Sequence, residues 1–180
     1  MSVFDIILVG VGLSMDAAAV TIANVLGRPG MGRKKELEMA AAFGLFQGLM
    51  PLLGFYTGSL FSDLISRYAG VVTLLILGFI GGSMVKEGIS GEEDAGHEPL
   101  TLHLLLIQAV ATSIDAFAVG VSFCAACAPI WFAAPVIAAT TFLCSLLAAW
   151  LGRKAGPLLG SRAQLLGGVI LIAIGVKSLF

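Results

Sequence analysis

Two short segments, Ser14-Met15-Asp16-Ala17 and Ser113-Ile114-Asp115-Ala116, each put a carboxylate inside a long apolar stretch of this chain. They share the pattern S-x-D-A, lie 99 residues apart, and both continue with Ala-Val after one further residue. A charged group is costly inside a membrane-length apolar segment, so two such groups in matching contexts favour duplication over chance similarity. The pattern indicates that the second half of the chain repeats the first.

The composition around these segments is that of a membrane protein. Of the 180 residues, 58% are hydrophobic and only 12% are charged, and 23 more are glycine. A soluble globular domain carries about twice that charge, and this class is excluded. We predict an all-α integral membrane protein with six transmembrane helices in one domain, residues 1–180. The predicted spans are about 3–26, 37–60, 70–85, 100–123, 130–151 and 163–176.

The positions of lysine and arginine predict the orientation. Basic residues concentrate in cytoplasmic loops of membrane proteins. The loops after predicted spans one, three and five hold Arg28, Arg33, Lys34, Lys35, Lys86, Arg153, Lys154 and Arg162, whereas the opposite side has only Arg67 and Lys177. We therefore expect a multi-pass protein of the bacterial inner (plasma) membrane, with both termini outside the cytoplasm.

The duplication predicts an inverted repeat. Three spans are an odd number, so a second copy enters the membrane from the opposite face. Repeat one is expected at about 1–90 and repeat two at about 100–180, joined by an acidic cytoplasmic linker at about 86–99. Inverted repeats are common in secondary transporters, which bind substrate near the midplane. The net charge of −1 offers no basic surface, so nucleic acid is not an expected partner.

Asp16 and Asp115 are the acidic residues that fall deep inside predicted spans. No lysine or arginine lies within any predicted span to offset their charge. The carboxylates are therefore either protonated or balanced by a cation from solution, and a transporter could alternate between these states. The alternative is that each aspartate is neutral and hydrogen-bonds a neighbouring helix.

Other oxygen ligands are predicted near the same depth. Helical periodicity puts Gln108 and Thr112 on one stripe with Asp115, and Asn24 could join the inner end of the pathway. Pro51 removes the hydrogen bond to the carbonyl of Gln47, which adds an amide and a backbone oxygen. The candidate metal ligands are thus Asp16, Asp115, Gln47, Thr112, Gln108 and Asn24, with Thr140 and Thr141 as weaker candidates. For the neutral residues, interhelical hydrogen bonding is the competing interpretation.

This set of oxygens suits a hard divalent cation such as Mn²⁺, Mg²⁺ or Ca²⁺. The Cys124 and Cys127 pair is expected to form a strained disulfide or simple packing, rather than a metal site. The acidic residues of the 86–99 linker are read as a solvated connection, or as a funnel that collects cations.

Several motifs resemble the bacterial manganese efflux pump family. They are Gly12-Leu13-Ser14-Met15-Asp16-Ala17, Met50-Pro51-Leu52-Leu53-Gly54, Gly81-Gly82-Ser83-Met84, Ala111-Thr112-Ser113-Ile114-Asp115-Ala116, Val119-Gly120, Leu166-Gly167-Gly168 and Ile174-Gly175. The resemblance covers almost the whole chain in order and spacing. It implies a six-helix inner-membrane exporter of Mn²⁺ made of duplicated three-helix halves. It also implies that Asp16 and Asp115 are functional acidic residues.

The leading hypothesis is an Mn²⁺ exporter that works by alternating access, with protons as the counter-ion at the same carboxylates. The alternatives are a passive divalent-cation channel and a non-transporting membrane subunit whose aspartates dock a partner helix. An enzyme is not expected, because His97 and His103 lie at or outside the edge of predicted span four and no nucleophile–base pair is visible. The sequence has no nucleotide-binding motif, so ATP is not the expected direct drive. No cofactor is expected, since Mn²⁺ would be the transported substrate, and the lipid bilayer is the surrounding medium. The sequence predicts no particular partner protein.

Overall fold

The structure is a computed structural model that describes residues 3–28, 30–90, 100–125, 128–159 and 163–177. Within these ranges the regular structure is helical, and no strand occurs. Helices satisfy their own backbone hydrogen bonds, which a chain in lipid requires. The helices are α1 (Val3–Leu26), α2 (Arg33–Ser90), α3 (Leu102–Thr112), α4 (Ile114–Ala125), α5 (Ile130–Leu159) and α6 (Ala163–Lys177).

The structure confirms the prediction of a helical protein with membrane-length apolar segments, but not the predicted number of spans. Among the described residues, three helical segments are long and apolar enough to cross a bilayer: Val3–Leu26, Arg33–Thr57 and Ile130–Gly156. A fourth span is possible if the bent pair formed by α3 and α4 counts as one crossing. The apolar helices Leu74–Ser83 and Leu165–Ile174 are shorter. Six spans in two inverted repeats therefore stay a prediction.

α2 differs most from the predicted elements. It continues through the region around Arg67, where the sequence predicted a connection between spans two and three. The chain has no proline between Leu52 and Ser90, so nothing in this stretch obliges the helix to end. Phe43 from its first part and Leu77 from its last part belong to the same apolar cluster. Both predicted spans thus contribute to one core.

The predicted fourth span is interrupted beside Asp115. α3 ends at Thr112 and α4 begins at Ile114, with a bend of 40° between them. At the break, the Ser113 hydroxyl donates to the carbonyl of Ala109 at 2.7 Å. α1 contains the matching S-x-D-A segment and yet stays continuous through Ser14. The two segments therefore have different backbone conformations.

Glycines allow the helices to approach closely. A Cβ added to Gly120 of α4 would lie 2.7 Å from the carbonyl carbon and the Cα of Pro51 in α2. A Cβ on Gly81 of α2 would lie 2.6 Å from the Gly168 oxygen in α6, and a Cβ on Gly168 would lie 2.6 Å from the Gly81 oxygen. Such backbone contacts are typical of helix packing in membranes, where small residues form the interfaces.

Aromatic side chains mark the two ends of α5. Trp131 lies 6.3 Å from Tyr56, measured between ring centroids, near the start of α5. Near its end, the Lys154 ammonium lies 4.0 Å from the centroid of the Trp150 ring. The stretch between the two tryptophans rises about 28 Å, close to the hydrocarbon thickness of about 30 Å. Aromatic residues prefer both membrane interfaces, which fits α5 as a full span.

Candidate cation site

Asp16 and Asp115 lie close enough to influence each other electrostatically. Asp16 is on the continuous helix α1, whereas Asp115 is in the first turn of α4, immediately after the break. Asp115 accepts a hydrogen bond at 2.8 Å from the backbone N–H of Ala116. The Asp16 side chain is 31% exposed and Asp115 is also exposed, so neither carboxylate is sealed in the core.

Lys177 provides a positive charge at this site that sequence reasoning missed. Its ammonium lies 3.6 Å from the nearer carboxylate oxygen of Asp16, and it also acts electrostatically on Asp115. No lysine or arginine lies within a predicted span, but Lys177 from just outside span six offsets part of the charge that was expected to need a proton or a cation from solution. The residue stands just beyond the predicted sixth span, and its long side chain reaches back. The sequence signal that could have indicated this contact is a basic residue directly after an apolar segment.

Asn24 and Gln108 form a buried amide pair between α1 and α3. The Asn24 amide donates to the Gln108 oxygen at 2.8 Å, and the Gln108 amide donates to the Asn24 oxygen at 3.2 Å. Arg28 also donates to the Asn24 oxygen, at 2.9 Å. The Thr112 hydroxyl donates to the backbone carbonyl of Gln108 at 2.9 Å. Asn24, Gln108 and Thr112 thus form hydrogen bonds with other protein groups in this structure. Metal binding by these three residues stays a prediction.

Gln47 connects α2 to α1 and leaves one oxygen without a partner. Its amide donates to the backbone carbonyl of Leu13 at 2.9 Å, while its Oε1 is buried and has no hydrogen-bond partner among the described residues. Within the same part of the chain, the Thr141 and Ser145 hydroxyls of α5 are also buried without a partner. The adjacent Thr140 hydroxyl instead donates to the Val136 carbonyl in its own helix, at 2.8 Å. Gln47 and Thr141 thus keep an oxygen that no described residue satisfies, and their role toward a metal stays a prediction.

An ion pair joins the start of α2 to the end of α5. Arg153 donates to the Glu36 carboxylate through its Nε at 3.1 Å and through its Nη2. Glu36 is buried although it is charged, which a guanidinium partner makes tolerable. Sequence reasoning missed this pair, since the two residues are 117 positions apart along the chain. It brings the basic loops after predicted spans one and five to the same end of the bundle.

The described residues contain no cluster of three or more His, Cys, Asp or Glu side chains that could hold a metal. A cation bound here would therefore depend on the two aspartates together with neutral oxygens. Cys124 is a free, exposed thiol. Cys127, the other half of the proposed pair, and residues 91–99 of the acidic linker lie outside the described residues.

Apolar helices of membrane length that place carboxylates on two different helices are typical of multi-pass membrane proteins that transport ions. A family model described as "Putative manganese efflux pump" matches residues 30–179, and the chain belongs to this family.

Three curated relatives have the same description in their names, followed by MntP. The relative from Ruminiclostridium cellulolyticum is 45% identical, with 98% of this chain and 95% of that protein covered. The relative from Actinobacillus succinogenes is 45% identical, covering 99% and 96%. The relative from Methanosarcina barkeri is 40% identical, covering 99% and 96%. No solved structure matches the chain.

Proposed function

We propose that this protein exports Mn²⁺ from the cytoplasm across the bacterial inner membrane, with Asp16 and Asp115 as the charged ligands. The names of relatives that match nearly the full chain support manganese as the substrate. Carboxylate, amide and hydroxyl oxygens are also the donors that Mn²⁺ prefers over softer ligands.

The observation that supports this function best is the charge balance at the carboxylate pair. Asp16 and Asp115 bring two negative charges within range of each other, while Lys177 brings one positive charge. A divalent cation between the carboxylates neutralises both, which a single ammonium does not. Charge neutralisation is strongly favoured where the surroundings have a low dielectric constant.

Alternating access is the mechanism that we assign to the site. The break at Ser113 lies beside Asp115, so bending there moves one ligand relative to the other. The reciprocal contact of Gly81 with Gly168 is the kind expected between two related halves. Discontinuous helices at the junction of two repeats are a recurring feature of secondary transporters. We assign the buried Asn24–Gln108 pair to the closed side of the site, towards the end where Arg28 and the basic loops lie.

We propose that proton exchange supplies the energy for Mn²⁺ export. A carboxylate that releases Mn²⁺ can take up a proton, which removes its charge before the return step. The chain thus needs no nucleotide to couple export to the proton gradient.

Flux into proteoliposomes tests this function. Purified protein is reconstituted, a pH gradient is imposed, and Mn²⁺ movement is followed with an internal dye, using Asp16→Asn and Asp115→Asn as inactive controls. The proposal expects uphill Mn²⁺ flux that depends on the gradient and is lost in both variants. Flux that is only downhill would favour a passive channel. Absence of any flux would favour a subunit that docks a partner.

A further inference from the structure

We propose that the Lys177 ammonium is a tethered cation that competes with the divalent ion for Asp16 and so limits the affinity of the site. This inference rests on the proposed function, because it assigns a specificity-determining role next to the same carboxylates. Lys177 is expected to pair with Asp16 before the metal enters and to leave when the metal binds.

The geometry supports a releasable interaction. At 3.6 Å, the Lys177 ammonium and the Asp16 oxygen form an ion pair that is longer than a good hydrogen bond. The Lys177 side chain is 75% exposed, so it has room to swing away. A lysine ammonium is a point charge on a flexible stem, unlike the fixed two-pronged guanidinium of arginine that Glu36 receives from Arg153. The contact can therefore form and break at small cost.

The charges explain why competition follows. Asp16 and Asp115 repel each other, and Lys177 relieves that repulsion in part. A divalent ion that approaches Asp16 brings a second positive charge close to the ammonium, and the two cations repel each other as well. Lys177 must therefore withdraw for the metal to bind with full strength.

Limited affinity serves transport. An ion must bind well enough to enter a site and weakly enough to leave it. Two carboxylates with no competing charge would retain a divalent ion too long, and a competitor attached to the chain is present in every cycle. Lys177 would thus assist release on the far side of the membrane.

Amine labelling resolved by peptide mass spectrometry tests the displacement directly. Purified protein in lipid nanodiscs is treated with an amine-reactive reagent, with and without saturating Mn²⁺. The rate at Lys177 should rise about two- to fivefold with Mn²⁺, as expected for the loss of an exposed ion pair. Lys154, which lies over Trp150, is the internal control and should not change. An unchanged rate at Lys177 would overturn the inference.

Binding measurements supply the second test. Lys177→Gln should bind Mn²⁺ about two- to fivefold more tightly than the parent protein, as expected for removal of an exposed competing charge. Lys177→Arg keeps the charge and can pair with Asp16 through two N–H groups, so it should bind Mn²⁺ no more tightly than the parent does. Lys154→Gln is the matched control. Equal or weaker binding by Lys177→Gln would contradict the competition. If Lys177→Gln does not fold, the labelling experiment still decides.

The same measurements separate the two proposals. If Asp16→Asn binds Mn²⁺ as well as the parent does, the proposed carboxylate site fails and the inference fails with it. If Asp16→Asn loses binding while Lys177→Gln leaves the affinity unchanged, only the role of Lys177 is removed.

Discussion

Replacing Gly120 with alanine should force α4 away from α2 and displace Asp115, which lies on the same helix. The added Cβ would lie 2.7 Å from the carbonyl carbon and the Cα of Pro51, and nearer still to its oxygen. Carbon atoms in good contact are about 3.5 Å or more apart. The two backbones must therefore separate by at least about 0.8 Å, because no flexible side chain is available to move instead.

Gly120→Ala should lower both the stability of the protein and its affinity for Mn²⁺. Overpacking of a close interface destabilises a protein by about 1–3 kcal/mol. Displacement of a ligand matters more, since metal–oxygen distances tolerate only about 0.2 Å. We therefore expect Gly120→Ala to fold with lowered thermal stability and to bind Mn²⁺ at least about tenfold more weakly.

The assay compares thermal unfolding and Mn²⁺ affinity of the purified variants. Gly12→Ala is the matched control, because Gly12 lies on α1 near Asp16 and an added Cβ there meets nothing within 4 Å. It should leave both quantities near those of the parent. If Gly120→Ala matched the parent, or Gly12→Ala were equally damaging, the close contact between α4 and α2 would not position the site.

Two further predictions follow from the buried amide pair and the charge distribution. Asn24→Ala and Gln108→Ala should each lower thermal stability, because each removes the two hydrogen bonds of the buried amide pair, although Asn24 would keep its bond from Arg28. The double variant should lose less than the sum of the single losses, by about 0.5–3 kcal/mol. Strict additivity in this double-mutant cycle would show that the pair does not interact. A reporter active only outside the cytoplasm should work when fused after Phe180 and fail within 91–96, and the reverse pattern would contradict the orientation.

The sequence predicted best those helix bounds that coincide with the bounds of an apolar segment. The predicted first span coincides with α1, and the predicted starts of spans five and six coincide with those of α5 and α6. Hydropathy reports the free energy of transferring a segment into lipid, which such helices satisfy along their length. Hydropathy does not report where a helix ends. The continuation of α2 past the predicted second span was therefore not predictable from hydropathy.

The break at Ser113 shows a second limit. Ser14 and Ser113 occupy the same place in the S-x-D-A pattern, and both hydroxyls donate to a carbonyl three residues earlier. α1 nevertheless continues through Ser14. Since the local sequence is alike, the difference arises from the helices packed around each segment, and these are not visible in a single sequence.

The charged ligands of the candidate site were predictable from the sequence, but the residues that contact the predicted ligands were not. Asp16 and Asp115 were identifiable because charge is costly inside a span. Periodicity assigned Gln108 to a polar face without naming Asn24 as its partner, since it describes one helix at a time. Lys177 was missed for the same reason, because its approach to Asp16 depends on how α6 packs beside α1.

Mn²⁺ binding to the purified protein tests the central claim most directly. The free ion is titrated by its electron paramagnetic resonance signal, in the parent protein and in the Asp16→Asn and Asp115→Asn variants. Asparagine keeps the shape of the side chain but removes its charge. Losing even an outer-shell partner of a metal ligand costs about 10–100-fold in affinity, so each variant, which loses a charged ligand, should fold and bind Mn²⁺ at least about tenfold more weakly. Undiminished affinity in both variants would contradict the claim and remove these carboxylates from the site.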